Sequence, residues 1–213
     1  MHAAFECQLP IQLVAPAALA LDAGIPALSL ALLEVLLRRR SCRDFDPRAL
    51  PLYTLSRLLW AAFGYNRPDE ARRTAPSARD GQEISIYVAI SSGLYQYEAR
   101  THQLLPLRAE DVRGATGVQD FVADAPVNLI YVADLDPVPA AARVEQEFYA
   151  ALDTGYISQN VYLFCAAEGL ATVARGLVDR PALARRMGLH PCQRVILAQS
   201  VGYPAGSGGP DHE

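Results

Sequence analysis

The pattern of hydrophobic and polar positions predicts helices interleaved with strands. Apolar residues at helical spacing predict four helices, over residues 27–38, 54–62, 140–168 and 181–187. Thr54 is the predicted N-cap of the second helix. The third is unusually long, with Gly155 as its weak point. Alternating or continuous apolar runs predict six strands, over residues 84–91, 93–97, 103–107, 127–133, 171–174 and 194–201. The run at 127–133 is almost wholly apolar, which predicts a strand covered on both faces.

This order of elements predicts the α+β class, with helices flanking a mixed β-sheet. No linker rich in Pro, Gly or Ser divides the chain, so residues 1–213 are predicted to form one domain. Residues 1–26 contain several prolines and are predicted to be an irregular arm. The glycine-rich residues 205–213 are predicted to be a disordered tail.

Composition excludes several classes of function. A content of 51% hydrophobic and 20% charged residues is typical of a globular protein, and the net charge of −4 disfavours broad nucleic-acid binding. Prolines and acidic residues interrupt the apolar N-terminal region, which argues against a signal peptide or a membrane span. Four separated cysteines and four scattered histidines disfavour a metal site and are typical of reduced thiols, so a cytoplasmic location is expected.

A cluster of arginines at 38–40 and 43, with Ser41 among them, follows the first predicted helix. Guanidinium groups match the oxygens of a phosphate, and Ser41 can add a hydroxyl or a backbone N–H. The same arginines could instead be a solvated helix end that complements the helix dipole. The residues alone leave both interpretations open.

Five segments in order resemble the nitroreductase-like FMN-dependent oxidoreductases, including the branch that oxidises azoline rings in modified peptides. They are Arg-Arg-Ser-x-Arg-x-Phe at 39–45, Arg-Thr-Ala-Pro-Ser-Ala-Arg-Asp-Gly-Gln at 73–82, and the segments 119–132, 153–176 and 195–204. The resemblance implies the nitroreductase fold, a mixed sheet flanked by helices with a long central helix. It also implies a homodimer with FMN at the subunit interface.

The resemblance implies the cofactor-binding residues as well. The phosphate and ribityl chain of FMN would be held by Arg39, Arg40, Ser41 and Arg43. The segment that lies against the isoalloxazine would supply Pro76, Ser77, Ala78, Asp80 and Gln82. Further contacts would come from Gln119, Ala174, Arg175 and Gly176.

Two departures from the family pattern bear on this site. Asp80 replaces an asparagine, and a carboxylate can only accept hydrogen bonds where an amide can also donate. Asp80 could accept from the flavin ring N–H, or it could pair with Arg79 or another arginine. No basic residue follows Pro204 to complete the phosphate clamp.

Arg175 could supply positive potential to the flavin or recruit an acidic substrate.

The implied activity is a ping-pong transfer of electrons from NADH or NADPH, through FMN, to a small organic acceptor such as a nitroaromatic compound or a quinone. The flavin carries this chemistry, so no catalytic side chain is predicted. Two alternatives use the same cofactor: dehydrogenation of a peptide or small molecule, and flavin binding without turnover. Neither GxGxxG nor a Walker loop is present, which disfavours a Rossmann NAD domain.

Overall fold

A computed structural model describes residues 10–13, 32–135 and 140–206. Four α-helices lie in these ranges: α1 (Leu32–Arg38), α2 (Leu52–Phe63), α3 (Ala140–Glu168) and α4 (Arg180–Met187). The strands are β1 (Ile11–Gln12), β2 (Phe45–Asp46), β3 (Tyr65–Arg67), β4 (Arg72–Arg73), β5 (Ile84–Ile90), β6 (Gly93–Glu98), β7 (Gln103–Arg108), β8 (Val127–Asp134), β9 (Ala171–Arg175) and β10 (Gln193–Pro204). No helix among the described residues is long and apolar enough to cross a membrane.

One large sheet has the strand order β1-β7-β6-β5-β8-β10-β2, and β9 also pairs with β10. Strands β3 and β4 form a separate hairpin. All pairings in the described part are antiparallel, so the expected mixture of strand directions is not seen there. The α+β class, the flanking helices and the long helix are confirmed.

Strand β8 lies at the centre of the sheet, and helices cover both of its faces. Leu129 and Tyr131 pack in the cluster that contains Ile157, Val161 and Cys165 of α3. The alternate residues Ile130 and Val132 pack in a second cluster with Leu183 and Met187 of α4. Side chains alternate across a strand, so the continuous apolar run predicted from the sequence serves two cores.

Three expectations about local structure need correction. Helix α2 begins two residues before Thr54, after Pro51, whose fixed φ suits a helix start. Part of the expected irregular arm, Ile11–Gln12, pairs with β7 as an edge strand. Gly155 does not interrupt α3, because packing of the helix outweighs the low helix propensity of one glycine. Residues 1–9, 14–31, 136–139 and 207–213, including most of the predicted tail, lie outside the described residues.

Asp179 caps α4 by accepting a hydrogen bond from the Ala182 N–H at 3.0 Å, as the sequence Asp-Arg-Pro predicts. Strand β10 ends beside β2, where Gly202 packs closely against Pro126. A Cβ at Gly202 would lie 2.6 Å from Pro126 Cδ and 2.8 Å from Pro126 Cγ. Neither the proline ring nor the paired strand can move aside at low cost.

We predict that Gly202→Ala lowers the free energy of unfolding by about 2 kcal/mol through overpacking. Denaturant titration measures the change. Gly114→Ala is the matched control, because the nearest atom to its added Cβ is 3.7 Å away. Equal stability of the two variants would contradict the packing at this strand end.

Candidate functional site

The arginine segment, residues 38–43, leaves α1 and runs along β9. The Arg39 N–H donates to the Val35 carbonyl at 2.9 Å and so completes the last turn of the helix. The Cys42 N–H donates to the Thr172 carbonyl of β9, also at 2.9 Å. Strand β2 then pairs with Tyr203 and Pro204 at the end of β10. Backbone bonds therefore fix the segment at both ends.

Tyr162 of α3 joins this segment to the end of β9. Its hydroxyl accepts the Ala174 N–H at 2.9 Å and lies 2.9 Å from Ser41 Oγ. Because the hydroxyl oxygen accepts from the backbone, its own hydrogen can be donated to Ser41. The Arg39 guanidinium lies 5.4 Å from the centroid of the Tyr162 ring. Tyr162 is not among the residues predicted from the sequence, since nothing in a run of apolar residues identifies the partners of its hydroxyl.

A cavity of about 440 Å³ lies beside the segment. We call it the arginine cavity; its lining includes Arg38, Arg39, Arg40, Tyr162 and the start of β9, but no carboxylate. Within the described part of the chain, none of the arginines at 38–40 and 43 forms an ion pair. Such a set of cations suits a phosphate. Ser41 and Arg43 do not line the cavity and flank it instead.

Residues 76–82, here called the Pro-Ser loop, have a strained backbone. Arg79, Asp80 and Gln82 have φ values of 53°, 57° and 48°, a left-handed region that non-glycine residues rarely adopt. The loop is held from within, because the Gln82 N–H donates to Ser77 Oγ at 3.0 Å. It is also held by helix α3: Asp153 Oδ2 accepts the Ala78 N–H at 2.8 Å, and Arg79 pairs with Glu145 at 3.0 Å.

Asp80 pairs with an arginine, one of the alternatives left open above. Its carboxylate lies 2.8 Å from Arg72 Nη1 and accepts from Gln82 Nε2 at 3.1 Å. The Gln82 amide, together with Arg72, lowers the pKa of Asp80 below its ordinary value. At neutral pH the group is therefore an ionised acceptor that cannot donate, unlike the asparagine of the family pattern.

Asp153 is almost fully buried and lies next to Glu83 at the start of β5. Burial raises the pKa of Glu83, and the neighbouring Asp153 carboxylate raises it further. Among the described residues, Glu83 Oε1 has no hydrogen-bond partner. Asp153, which holds the Pro-Ser loop, therefore has a second acidic residue, Glu83, beside it.

The side chain of Arg175 is 3% exposed, so it cannot recruit an acidic substrate at the surface. Its guanidinium donates to the Thr116 carbonyl at 2.8 Å and to Asn128 Oδ1 at 2.9 Å. Burial lowers the pKa of Arg175 to about 10. Of the two roles considered for Arg175, burial disfavours recruitment of an acidic substrate, and the supply of positive potential to a flavin stays a prediction.

Gln119 lies near this buried arginine. Gly117 lies between them, and a Cβ on that glycine would be 2.0 Å from Arg175 Nη1 and 3.1 Å from Gln119 Oε1. Gln119 Oε1 is buried and has no hydrogen-bond partner in the described part. Gly176 is exposed, with open space where a Cβ would be. Gln119 thus offers a free acceptor, and Gly176 leaves room for close approach to the backbone.

Within one chain, the predicted residues form two separate groups. The arginine segment meets Ala174 through Tyr162. The Pro-Ser loop is held by Asp153, which lies about 13 Å from Tyr162 along α3. Ser77, Asp80 and Gln82 of this loop line a different cavity, of about 310 Å³. Each group presents hydrogen-bonding atoms that would suit a different part of a phosphate-bearing ligand.

Comparisons with known proteins agree with this architecture. The sequence model of the Nitroreductase family matches residues 36–203. A Methanocaldococcus jannaschii protein named as a nitroreductase is 31% identical over 153 residues, which cover 67% of this chain and 77% of that protein. A crystal structure from Ralstonia eutropha, also described as a nitroreductase, is 38% identical with a TM-score of 0.78, over 93% of this chain and 96% of the other.

Two more distant structures share the fold alone. The Vibrio harveyi NADPH:FMN oxidoreductase complexed with NAD+ is 20% identical with a TM-score of 0.60, over 82% of this chain and 69% of the other. The Escherichia coli microcin synthetase McbBCD complex with truncated pro-MccB17 is 19% identical with a TM-score of 0.64, over 75% and 66%.

The family match and the named relatives define an oxidoreductase, and the fold is of the α+β class. The extent of the family match makes the assignment specific, because it includes both the arginine segment and the end of β10. The chain belongs to the Nitroreductase family.

We predict that Tyr162→Phe lowers the free energy of unfolding by about 1–2 kcal/mol, because the Ala174 N–H loses its acceptor. Denaturant titration measures the loss. Tyr53→Phe is the control, because the Tyr53 hydroxyl has no hydrogen-bond partner among the described residues. If both variants were as stable as the wild type, the bridge between the two segments would not contribute to stability.

We predict that Glu83→Gln raises the melting temperature at pH 7 and above. The pKa of Glu83 in the folded protein lies above its ordinary value of 4.5, so the group favours folding below that pH. This contribution is lost as the pH rises through the folded pKa. The advantage of the variant should therefore disappear near pH 4. Thermal unfolding from pH 4 to 8, with the exposed Glu70→Gln as control, checks this; an advantage independent of pH would contradict the assignment.

Proposed function

We propose that the chain is an FMN-dependent oxidoreductase that transfers electrons from NADH or NADPH to a small organic acceptor, such as a nitroaromatic compound or a quinone, by ping-pong kinetics. The arginine cavity carries this proposal. It gathers arginines without a carboxylate beside a strand whose backbone is tied to them by Tyr162. Arg38, Arg40 and Arg43 are exposed and Arg39 is half-buried, so the cavity presents its guanidinium groups to solvent, where a phosphate can reach them and relieve their mutual repulsion.

In this proposal, Arg39, Arg40, Ser41 and Arg43 hold the phosphate and ribityl chain. The backbone of Ala174, Arg175 and Gly176 lies beside the isoalloxazine. The Ala174 N–H is already donated to Tyr162, so an N–H group that stabilises negative charge on the ring would come from the backbone that follows it. When bound, FMN supplies the two-electron chemistry. The protein binds the cofactor and orients it, and no side chain is assigned the role of acid or base.

The polar edge of the flavin would meet Pro76, Ser77, Ala78, Asp80 and Gln82, with Gln119 offering a further acceptor. Asp80 is ionised, so it would accept a hydrogen bond from a ring N–H and could not donate to a ring carbonyl. The Gln82 amide already donates to the Ala71 carbonyl at 2.8 Å and to Asp80. These residues would therefore suit the edge of the flavin ring that carries an N–H group.

The working unit in this proposal is a homodimer. Helix α3 exposes an apolar stripe, one residue in every four, whose side chains are between 42% and 70% exposed: Val144, Phe148, Leu152 and Tyr156. Exposed apolar residues at this spacing lie on one face of the helix and are typical of an interface. A second copy of the chain is the occupant we propose.

The separation of the two groups along α3 supports the same arrangement. The two groups line different cavities and contact α3 at Tyr162 and Asp153, about 13 Å apart along the helix. A second copy, packed on the stripe, would bring its Pro-Ser loop to the arginine cavity of the first. FMN would then lie at the interface between the subunits.

We predict that combining Arg39→Ala with Arg43→Ala raises the dissociation constant for FMN about 100-fold or more, because each lost charge-assisted hydrogen bond costs about 1.5–3 kcal/mol. Fluorescence titration with FMN measures it. Arg185→Ala, an exposed arginine on α4, is the control. Unchanged FMN affinity in the double variant would show that these residues do not form the phosphate site.

We predict that Phe148→Asp raises the dissociation constant of the dimer at least about 100-fold, because it places a charge where an aromatic residue anchors the interface. Sedimentation equilibrium measures it, with circular dichroism to confirm folding. Leu52→Asp is the control, because Leu52 is 44% exposed at the start of α2 and lies outside the stripe. A wild-type protein that is monomeric at micromolar concentration would refute the dimer.

A further inference from the structure

The hairpin of β3 and β4, residues 65–73, carries three arginines beside the Pro-Ser loop. We call it the basic hairpin. Arg67, Arg72 and Arg73 line the cavity of about 310 Å³, together with Ser77 and Asp80 of the loop. This cavity is distinct from the arginine cavity, with which it shares no lining residue.

Positive charge in this cavity exceeds the negative charge that could neutralise it. Asp80 is the only carboxylate in the lining, and it pairs with Arg72. Within the described residues, Arg67 has no ion pair, and neither do Asp69 and Glu70 in the turn of the hairpin. Among the described residues, Arg72 alone of the three makes a direct ion pair, and Arg67 acts on the Asp80 carboxylate at longer range.

Arg73 is held in place by neutral groups. It donates through Nε to Gln82 Oε1 at 2.7 Å and through Nη1 to the Phe63 carbonyl at 3.0 Å. Its guanidinium lies 4.3 Å from the ring centroid of Phe63 and 4.7 Å from that of Tyr65. These contacts fix its position without neutralising its charge. An arginine positioned in advance loses little entropy when it binds an anion.

We propose that the basic hairpin forms an anion subsite that takes the carboxylate or phosphate group of a substrate. Arg73 supplies the fixed charge, and the exposed Arg67 supplies a donor that closes on the ligand. Asp80 competes with the ligand for Arg72. The subsite deepens the proposed function and rests on it, since a substrate reaches the reacting site only if the Pro-Ser loop borders that site.

The cavity volume limits what can occupy it. About 310 Å³ lies at the lower end of the range for small-molecule pockets, so a single anionic group with its neighbouring atoms fits and a whole dinucleotide does not. The chain carries a net charge of −4, so this patch is a local positive potential on an acidic protein. Such a patch attracts an anionic substrate selectively.

Inorganic pyrophosphate is the probe for the test, titrated by calorimetry into protein saturated with FMN. We expect Arg67→Gln to weaken its binding about tenfold or more. Arg185→Gln, on the opposite side of the sheet, should leave the affinity unchanged. Asp80→Asn should tighten binding severalfold, because it removes the competing carboxylate; a purely structural role of Asp80 would not give this sign. Wild-type affinity in Arg67→Gln, or no pyrophosphate binding at all, would overturn the proposal.

The same titration in the combined Arg39→Ala and Arg43→Ala variant reports on the subsite without the proposed phosphate site. Loss of FMN uptake with retained pyrophosphate binding therefore separates the two sites. The source of the anion follows from steady-state kinetics of Arg67→Gln. A raised KM for NADH and NADPH assigns the subsite to the phosphates of the nicotinamide donor. A raised KM for 4-nitrobenzoate, but not for neutral 4-nitrobenzamide, assigns it to the carboxylate of the acceptor.

Discussion

Burial of one side of helix α3 against the central sheet determines where every part of the site lies. Ile157 and Val161 pack on the face of β8 that carries Leu129 and Tyr131, which fixes the rotation of the helix. With that rotation set, Tyr162 reaches the arginine segment and Asp153 reaches the Pro-Ser loop. The remaining face exposes the apolar stripe. A single packing interaction thus positions both groups of the site and leaves the apolar stripe of the helix exposed.

Unpaired charge is the second constraint on this molecule. The arginine cavity and the basic hairpin both keep guanidinium groups without carboxylates, although the chain as a whole is acidic. The backbone of the Pro-Ser loop is strained as well. Its three residues in the left-handed region keep that conformation because hydrogen bonds hold the loop in place. Backbone strain of this kind clusters at functional sites. The Pro-Ser loop lies between the basic hairpin and α3, so the strain and the unpaired charge occur together.

Much of the fold could be predicted from the sequence, because period and burial are local signals. The double burial of β8 and the full length of α3 followed from apolar positions, and the arginine segment followed from a short motif. The roles of Tyr162 and Arg175 could not be predicted in this way. Tyr162 acts through Ser41 and Ala174, and the Arg175 guanidinium is buried against Thr116 and Asn128; these partners are distant in sequence. The pairing of Asp80 with Arg72 likewise depends on how the hairpin folds back on the loop.

As proposed, this member of the Nitroreductase family binds FMN and passes electrons through it. The most direct test is the visible spectrum of gently purified protein, with the released chromophore identified by mass, before and after anaerobic addition of NADH or NADPH. The account predicts FMN in stoichiometric amount that bleaches on addition of the nicotinamide. A protein that neither contains flavin nor takes up added FMN would contradict it, and bound FMN that does not bleach would contradict the nicotinamide as electron donor.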